Sequence, residues 1–221
     1  SRVAKAKADL EEIARALAVY ETREGDYPDT GTNVTDGKSD VSQLTGRYLN
    51  KSPIDPWGAS YIVDVKGGIV YSAGPDRKDT LPEDKFDNIS VPYQPPLALV
   101  SVKWVDKNQS GAVDYQNVID ELHLAFSRKF NSTVTGTTLV EICNNIFYSK
   151  VSPMLDISNF VAVTPTIVAS KILVYKISSN NAFVPGETYV VVKESHGKMY
   201  DQASPNPNYC ISSQNVTILP Q

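Results

Sequence analysis

The opening stretch, down to Pro28, constrains this chain more than any other. Val3, Ala6, Leu10, Ile13, Leu17 and Tyr20 recur at alternating intervals of three and four, the spacing that lines apolar groups along one side of an α-helix. Lys5, Lys7, Asp9, Glu11, Glu12 and Arg15 fall mostly off that stripe, and Glu11 precedes Arg15 in the favourable acid-first i,i+4 order. One face therefore packs and the other meets water. Gly25 is suited to end the helix, and Pro28 prevents its continuation. Periodicity alone fits an amphipathic helix on any globular domain, so the residues that follow carry the discrimination.

Those residues read YLNKSPIDPWGASY and then VYSAGPDRKDT. Pro56 and Gly58 set a turn, and Trp57 offers a large apolar anchor for it on the helix. Tyr61, Val63 and Val65 alternate with Ile62 and Asp64, Gly67 and Gly68 supply a tight reversal, and Ile69 to Ala73 returns as a partner strand. The order of these pieces resembles the major pseudopilins of type II secretion, in which a helix ending in Tyr-Pro is followed by a variable loop and a Pro-x-Asp-Pro-Trp-Gly turn. Tyr27 and Pro28 match the first element, Tyr48 to Lys51 a Gly-Tyr-Leu-Lys region, and Pro53, Asp55, Pro56, Trp57, Gly58 and Tyr61 the turn. Ser52 stands where that family commonly has an apolar residue.

The resemblance covers residues 1–93 and implies an α+β, type IV pilin-like fold: a long N-terminal helix packed on a small antiparallel sheet with a calcium loop. Such proteins carry an apolar segment that spans the inner membrane before assembly. No window here approaches the ~20 apolar residues of a span, and the chain opens with Ser-Arg in mid-helix. The expectation is an anchor missing from the N-terminus of this chain, the alternative being a natively soluble protein. The implied partners are other pseudopilin subunits, the remaining type II secretion components and, through the missing helix, the inner membrane. The implied location is the bacterial inner membrane and periplasm.

Residues 1–93 carry 12 Lys and Arg against 16 Asp and Glu, whereas residues 94–221 carry 9 of each. The whole net charge of -4 thus belongs to the pilin-like part. There is no basic run, zinc-finger spacing or aromatic-basic stripe, which argues against a nucleic-acid partner. Pro92, Pro95 and Pro96 mark a stiff linker or irregular crossing to a second domain, residues 94–221.

The acidic excess gathers in SAGPDRKDTLPEDKFDNIS, where Asp76, Asp79, Glu83, Asp84, Asp87 and Asn88 share one loop. So many oxygens repel one another unless solvated or bound to a hard cation. The resemblance favours calcium, and it places Asp76 at the first acidic position and Asp87 and Asn88 at the second pair. Arg77 stands where the family has glycine, and Asn88 where it has Asp. A second acidic signal, WVDKNQSGAVDYQN, puts Asp106, Asn108, Ser110, Ala112, Asp114 and Asn117 at positions 1, 3, 5, 7, 9 and 12 of an EF-hand- or dockerin-like loop, with Gly111 at the sharp turn. Position 12 is defective, because Asn117 offers one neutral oxygen in place of a carboxylate, and Asp120 helps only if the next helix starts late. The loop reads equally as a structural Ca2+ site or as a degenerate turn that caps a helix.

The remaining extension carries no family motif and reads as an α+β module in which helices precede sheet. Val118, Ile119, Leu122, Phe126 and Lys129 trace one helix, and Leu139, Ile142, Cys143, Ile146 and Phe147 a second that ends near Pro153. Strand-like runs follow at Thr166 to Ile177, Glu187 to Glu194 and Asn215 to Leu219. In a periplasmic or surface setting Cys143 and Cys210, the only cysteines, form a disulfide. The alternative is two thiols, with Cys143 buried on its helix.

Catalysis finds little support. His123 and His196 are the only histidines and read as a helix-surface and a turn residue. No nucleophile elbow, zinc-protease, P-loop or dinucleotide fingerprint occurs. The reading is a structural subunit of a secretion pseudopilus with an added C-terminal module. A surface-exposed type IV pilin or tip adhesin is the alternative, and a calcium-dependent hydrolase a third.

Overall fold

In the computed structural model, residues 1–28, 38–80, 82–131, 146–150, 153–179, 183–193, 199–202 and 207–221 are described. The chain is α+β and divides into two compact units, Ser1–Pro95 and Pro96–Gln202 with Pro207–Gln221.

The first unit is built on α1 (Arg2–Glu24). Ser1 Oγ accepts the Ala4 N–H at 3.2 Å, and Gly25, at φ 82°, ends the helix by donating its N–H to the Glu21 carbonyl. The left-handed φ explains why glycine stands there. Ala6, Leu10, Ile13 and Leu17 are fully buried, as the three-four spacing demands, whereas Val3 is 44% exposed because it lies a turn ahead of the buried stripe. The stripe lies on an antiparallel sheet of β1 (Lys38–Asp40), β2 (Ile62–Asp64), β3 (Ile69–Ser72) and β4 (Ile89–Pro92), in that order across the sheet. Val63 faces Val70 in register, and both join Leu10, Ile13, Leu17, Leu44 and Tyr61 in one core. Gly67 and Gly68 make the expected reversal, with Asp64 accepting both of their N–H groups. The buried Tyr61 donates to Asp9 on α1 at 2.8 Å, satisfying a hydroxyl that burial would otherwise strand. Tyr27 packs edge-on against Tyr93, ring centres 5.0 Å apart, so the Tyr-Pro end of the helix is held on the sheet.

The second unit is an eight-stranded sheet. Its strands are β5 (Leu99–Val105), β6 (Glu121–Phe126), β7 (Ile146–Ser149), β8 (Leu155–Asp156), β9 (Thr166–Val168), β10 (Ile172–Lys176), β11 (Tyr189–Val192) and β12 (Val216–Pro220). They run β8-β7-β11-β12-β5-β6-β10-β9 across the sheet, antiparallel except where β12 lies parallel to β5. The edge strands β8 and β9 are consecutive in the chain. Val161, between them, bridges Ile177 just past β10, and inward residues from across the sheet meet in a single core around Phe126, Phe160, Tyr175 and Ile218.

Neither helix expected in this unit is found among the described residues. The stretch read from Val118, Ile119, Leu122, Phe126 and Lys129 is strand β6: Leu122, Leu124 and Phe126 are buried while Glu121, His123 and Ala125 face the other side. Leu122 and Phe126 satisfy both a period of four and a period of two, and only the intervening Leu124 distinguishes them. Val118 and Ile119 are exposed, ahead of the strand. Ile146 and Phe147 begin β7, and Leu139, Ile142 and Cys143 lie outside the described residues. The strand expectations near Thr166 to Ile177, Glu187 to Glu194 and Asn215 to Leu219 correspond to β9 with β10, β11 and β12.

Candidate functional site

Two acidic loops carry the chemistry. The first joins β3 to β4, and its entry is fixed by the Asp-Pro-Trp-Gly turn. Asp55 is buried there: one carboxylate oxygen accepts the Trp57 and Ala59 N–H groups at 3.0 and 2.8 Å, and the other accepts the Ser72 hydroxyl at 2.5 Å. Ser72 Oγ in turn accepts the Gly74 N–H. The turn is therefore anchored to β3 by Asp55, while Trp57, expected to be the anchor, is only partly buried.

Gly74 has φ +73°, and a Cβ there would stand 2.4 Å from the Asp87 carbonyl oxygen. Both the left-handed backbone and the close approach require glycine. Gly74→Ala is expected to cost about 2–4 kcal/mol, from strain plus overpacking against backbone, seen as a lower urea midpoint for the first unit. Arg77, where the family has glycine, likewise adopts φ 57°. Beyond this turn Asp76 accepts the Lys78 N–H at 2.8 Å and Asp87 accepts the Asp76 N–H at 3.2 Å. Asp79 takes three donors: Lys38 Nζ at 2.5 Å, the Tyr71 hydroxyl, and Asn88 Nδ2 at 3.3 Å. Burial raises the Asp79 carboxyl, but the hydrogen bonds from Lys38 and Tyr71 outweigh it and hold the group below the usual carboxylate range. Asn88 Oδ1 is buried without a hydrogen-bond partner.

The second loop lies between β5 and β6. Asp106 accepts the Ser110 and Gly111 N–H groups at 3.2 and 2.7 Å. Asp114 accepts from Ser110 Oγ at 2.6 Å and Asn108 Nδ2 at 2.9 Å, which together hold its carboxyl below the usual range. Ser110 Oγ also lies 3.1 Å from the Ala112 carbonyl. Asp120 is fully buried and accepts from Trp104 Nε1, the Lys107 N–H and the Asp114 N–H, each at 2.9 Å. Carboxylate oxygens of Asp106, Asp114 and Asp120 lie within 4.8 Å of one another, the one such group of His, Cys, Asp and Glu among the described residues.

Comparison with known proteins bears on the first unit alone. Over residues 1–90 the chain matches the family model of the type II secretion system (T2SS) protein G. No curated protein and no solved structure matches the chain. No helix among the described residues is long and apolar enough to cross a membrane.

Set against the expected ligands, the β3–β4 loop brings Asp76 beside Asp87 and Asn88 beside Asp79, with a lysine in the group. Lys38 carried no sequence signal, because it reaches the loop from β1, far off in the chain. In the second loop Asn117 is exposed at φ 59°, and the third carboxylate comes from Asp120. No helix follows to be capped. The spacing from Asp106 to Asp114 pointed to the loop, but Asp120 becomes a member only because Asp114 and Asp120 close a turn by the Asp120 N–H bond to the Asp114 carbonyl. Cys210 is buried, which pushes its thiol up to about 12, and Cys143 lies outside the described residues. His123 sits 3.0 Å from Glu121 on β6, and His196 lies outside the described residues.

Proposed function

We propose that this chain is a subunit of a type II secretion pseudopilus, acting by assembly rather than catalysis. The observation that carries the reading is the protein G match over residues 1–90, supported by α1 lying on a four-stranded antiparallel sheet whose turn is locked by Asp55. In this reading α1 continues the stem of the subunit, and its buried stripe seats the globular unit on that stem. Other pseudopilins and the secretion machinery are the partners, at the inner membrane and in the periplasm. Growth of the filament moves exported proteins outward.

Calcium is proposed for the second loop as a structural ion. The carboxylates fit a hard cation: oxygens of Asp106, Asp114 and Asp120 lie within 4.8 Å of one another, and the Ser110 hydroxyl adjoins Asp114. Asp106, Asp114 and Asp120 would hold the ion, which would tie the β5–β6 connection down. The test of the main reading is deletion and complementation in the native host. Loss of the chain is expected to trap exported proteins in the periplasm, with export restored by the intact gene. Undiminished export, with loss of adhesion or motility instead, would overturn it in favour of a surface pilin.

A further inference from the structure

We propose that Lys38 is a built-in counter-cation for the β3–β4 loop, so that the protein G unit of this chain holds that loop without calcium. The inference rests on the family assignment, which is what makes a bound ion the expectation.

A calcium cage needs about six to eight oxygens turned toward one point. Here three of the loop's carboxylates already accept from donors of the chain. Asp76 caps the Lys78 N–H, Asp87 caps the Asp76 N–H, and Asp79 is committed to Lys38, Tyr71 and Asn88. Asn88 presents its Nδ2 donor to Asp79, an orientation that suits a carboxylate already neutralised on its other side. Its Oδ1 is left buried without a partner as the consequence of that turn. Swinging the amide round would set oxygen against carboxylate.

The lysine is well placed for the role. Lys38 opens β1 and pairs in register with Asp64 of β2, which aims its stem along the sheet toward Tyr71 on β3. Nζ lies 5.4 Å from the Tyr71 ring centre, within cation–π range, while the ring's own hydroxyl donates to the same Asp79 oxygen. Ammonium, ring and carboxylate thus form one cluster that is largely shielded from water. Five carboxylates lie between Asp76 and Asn88 against Arg77, Lys78 and Lys85, and Lys38 brings a further positive charge from a distant strand. A charge held by the chain costs no binding equilibrium, so loop order is independent of calcium concentration.

The test uses the full chain carrying Asp106→Ala, which silences the second loop, and follows hydrogen exchange in peptides covering residues 71–92. Protection is expected to be the same in calcium and in EDTA. Adding Lys38→Met is expected to speed exchange in these peptides at least tenfold, while Lys38→Arg retains protection and β5 and β6 peptides are unmoved in both. Calcium-dependent protection with Lys38 present would overturn the proposal, as would unchanged exchange in Lys38→Met. If Lys38→Met fails to fold, the calcium and EDTA comparison decides alone. Protein export is a separate readout, so failure here leaves the secretion reading standing.

Discussion

Asp120→Ala is expected to destabilise the second unit by about 3–5 kcal/mol, since each buried donor left without its acceptor costs about 1–3 kcal/mol. Three donors converge on this carboxylate: Trp104 Nε1 from β5, and the backbone N–H groups of Lys107 and Asp114 from the two ends of the acidic loop. The side chain is fully buried, so water cannot take its place. Asp120→Asn keeps one acceptor oxygen and is expected to lose less than half as much. Urea unfolding followed by Trp104 fluorescence in a Trp57→Phe background isolates this unit, because the chain has only two tryptophans. The same variant removes a carboxylate from the proposed calcium site. Any calcium-induced rise in Tm should disappear in both Asp120→Ala and Asp120→Asn. A response that survives in both places the ion elsewhere.

A similar loss, about 3–5 kcal/mol, is expected for Asp201→Ala, the usual result of breaking a buried ion pair from one side. Arg128, just past β6, meets Asp201 at 3.0 Å, and both side chains are almost wholly withdrawn from solvent. Asp201 also accepts the backbone N–H and the side-chain Nδ2 of Asn208, each at 2.9 Å, so it pins the region before β12 to the region after β6. Removing the carboxylate takes the acceptor from a guanidinium in a low-dielectric setting and from two Asn208 donors. Replacing both members, as Arg128→Met with Asp201→Leu, is expected to be milder than Asp201→Ala alone, because no buried charge remains. A double-mutant cycle by urea unfolding measures the coupling. A cost under 1 kcal/mol for Asp201→Ala would show that the pair is solvated in practice.

Short-range chemistry made the first unit readable in advance. The α1 stripe, the Gly25 stop, the Gly67-Gly68 reversal and the Asp-Pro-Trp-Gly turn each depend on neighbours within a few residues, so spacing alone reveals them. The second unit was misread where spacing is ambiguous. Leu122 and Phe126 suit a helix as well as a strand, and β6 is a strand because it is clamped between β5 and β10, one partner from before it in the chain and one from well after. Propensity is a weak prior against ladder pairing and burial on that scale.

The candidate sites divide the same way. Asp106, Asn108, Ser110 and Asp114 are legible as a loop motif because a tight turn brings alternate side chains together by itself. The partners of Asp120, Asp55 and Lys38 are not, for they lie across a turn or on another strand: Asp120 meets Trp104, Asp55 meets Ser72, and Lys38 meets Asp79. By itself the sequence determined the helix, its end, the family turn and the presence of two acidic loops, all set by local geometry. Only the tertiary structure decided which cation partners the first loop, which carboxylate completes the second, and that the described extension is sheet, because each of these depends on strands that come together only when the chain has folded.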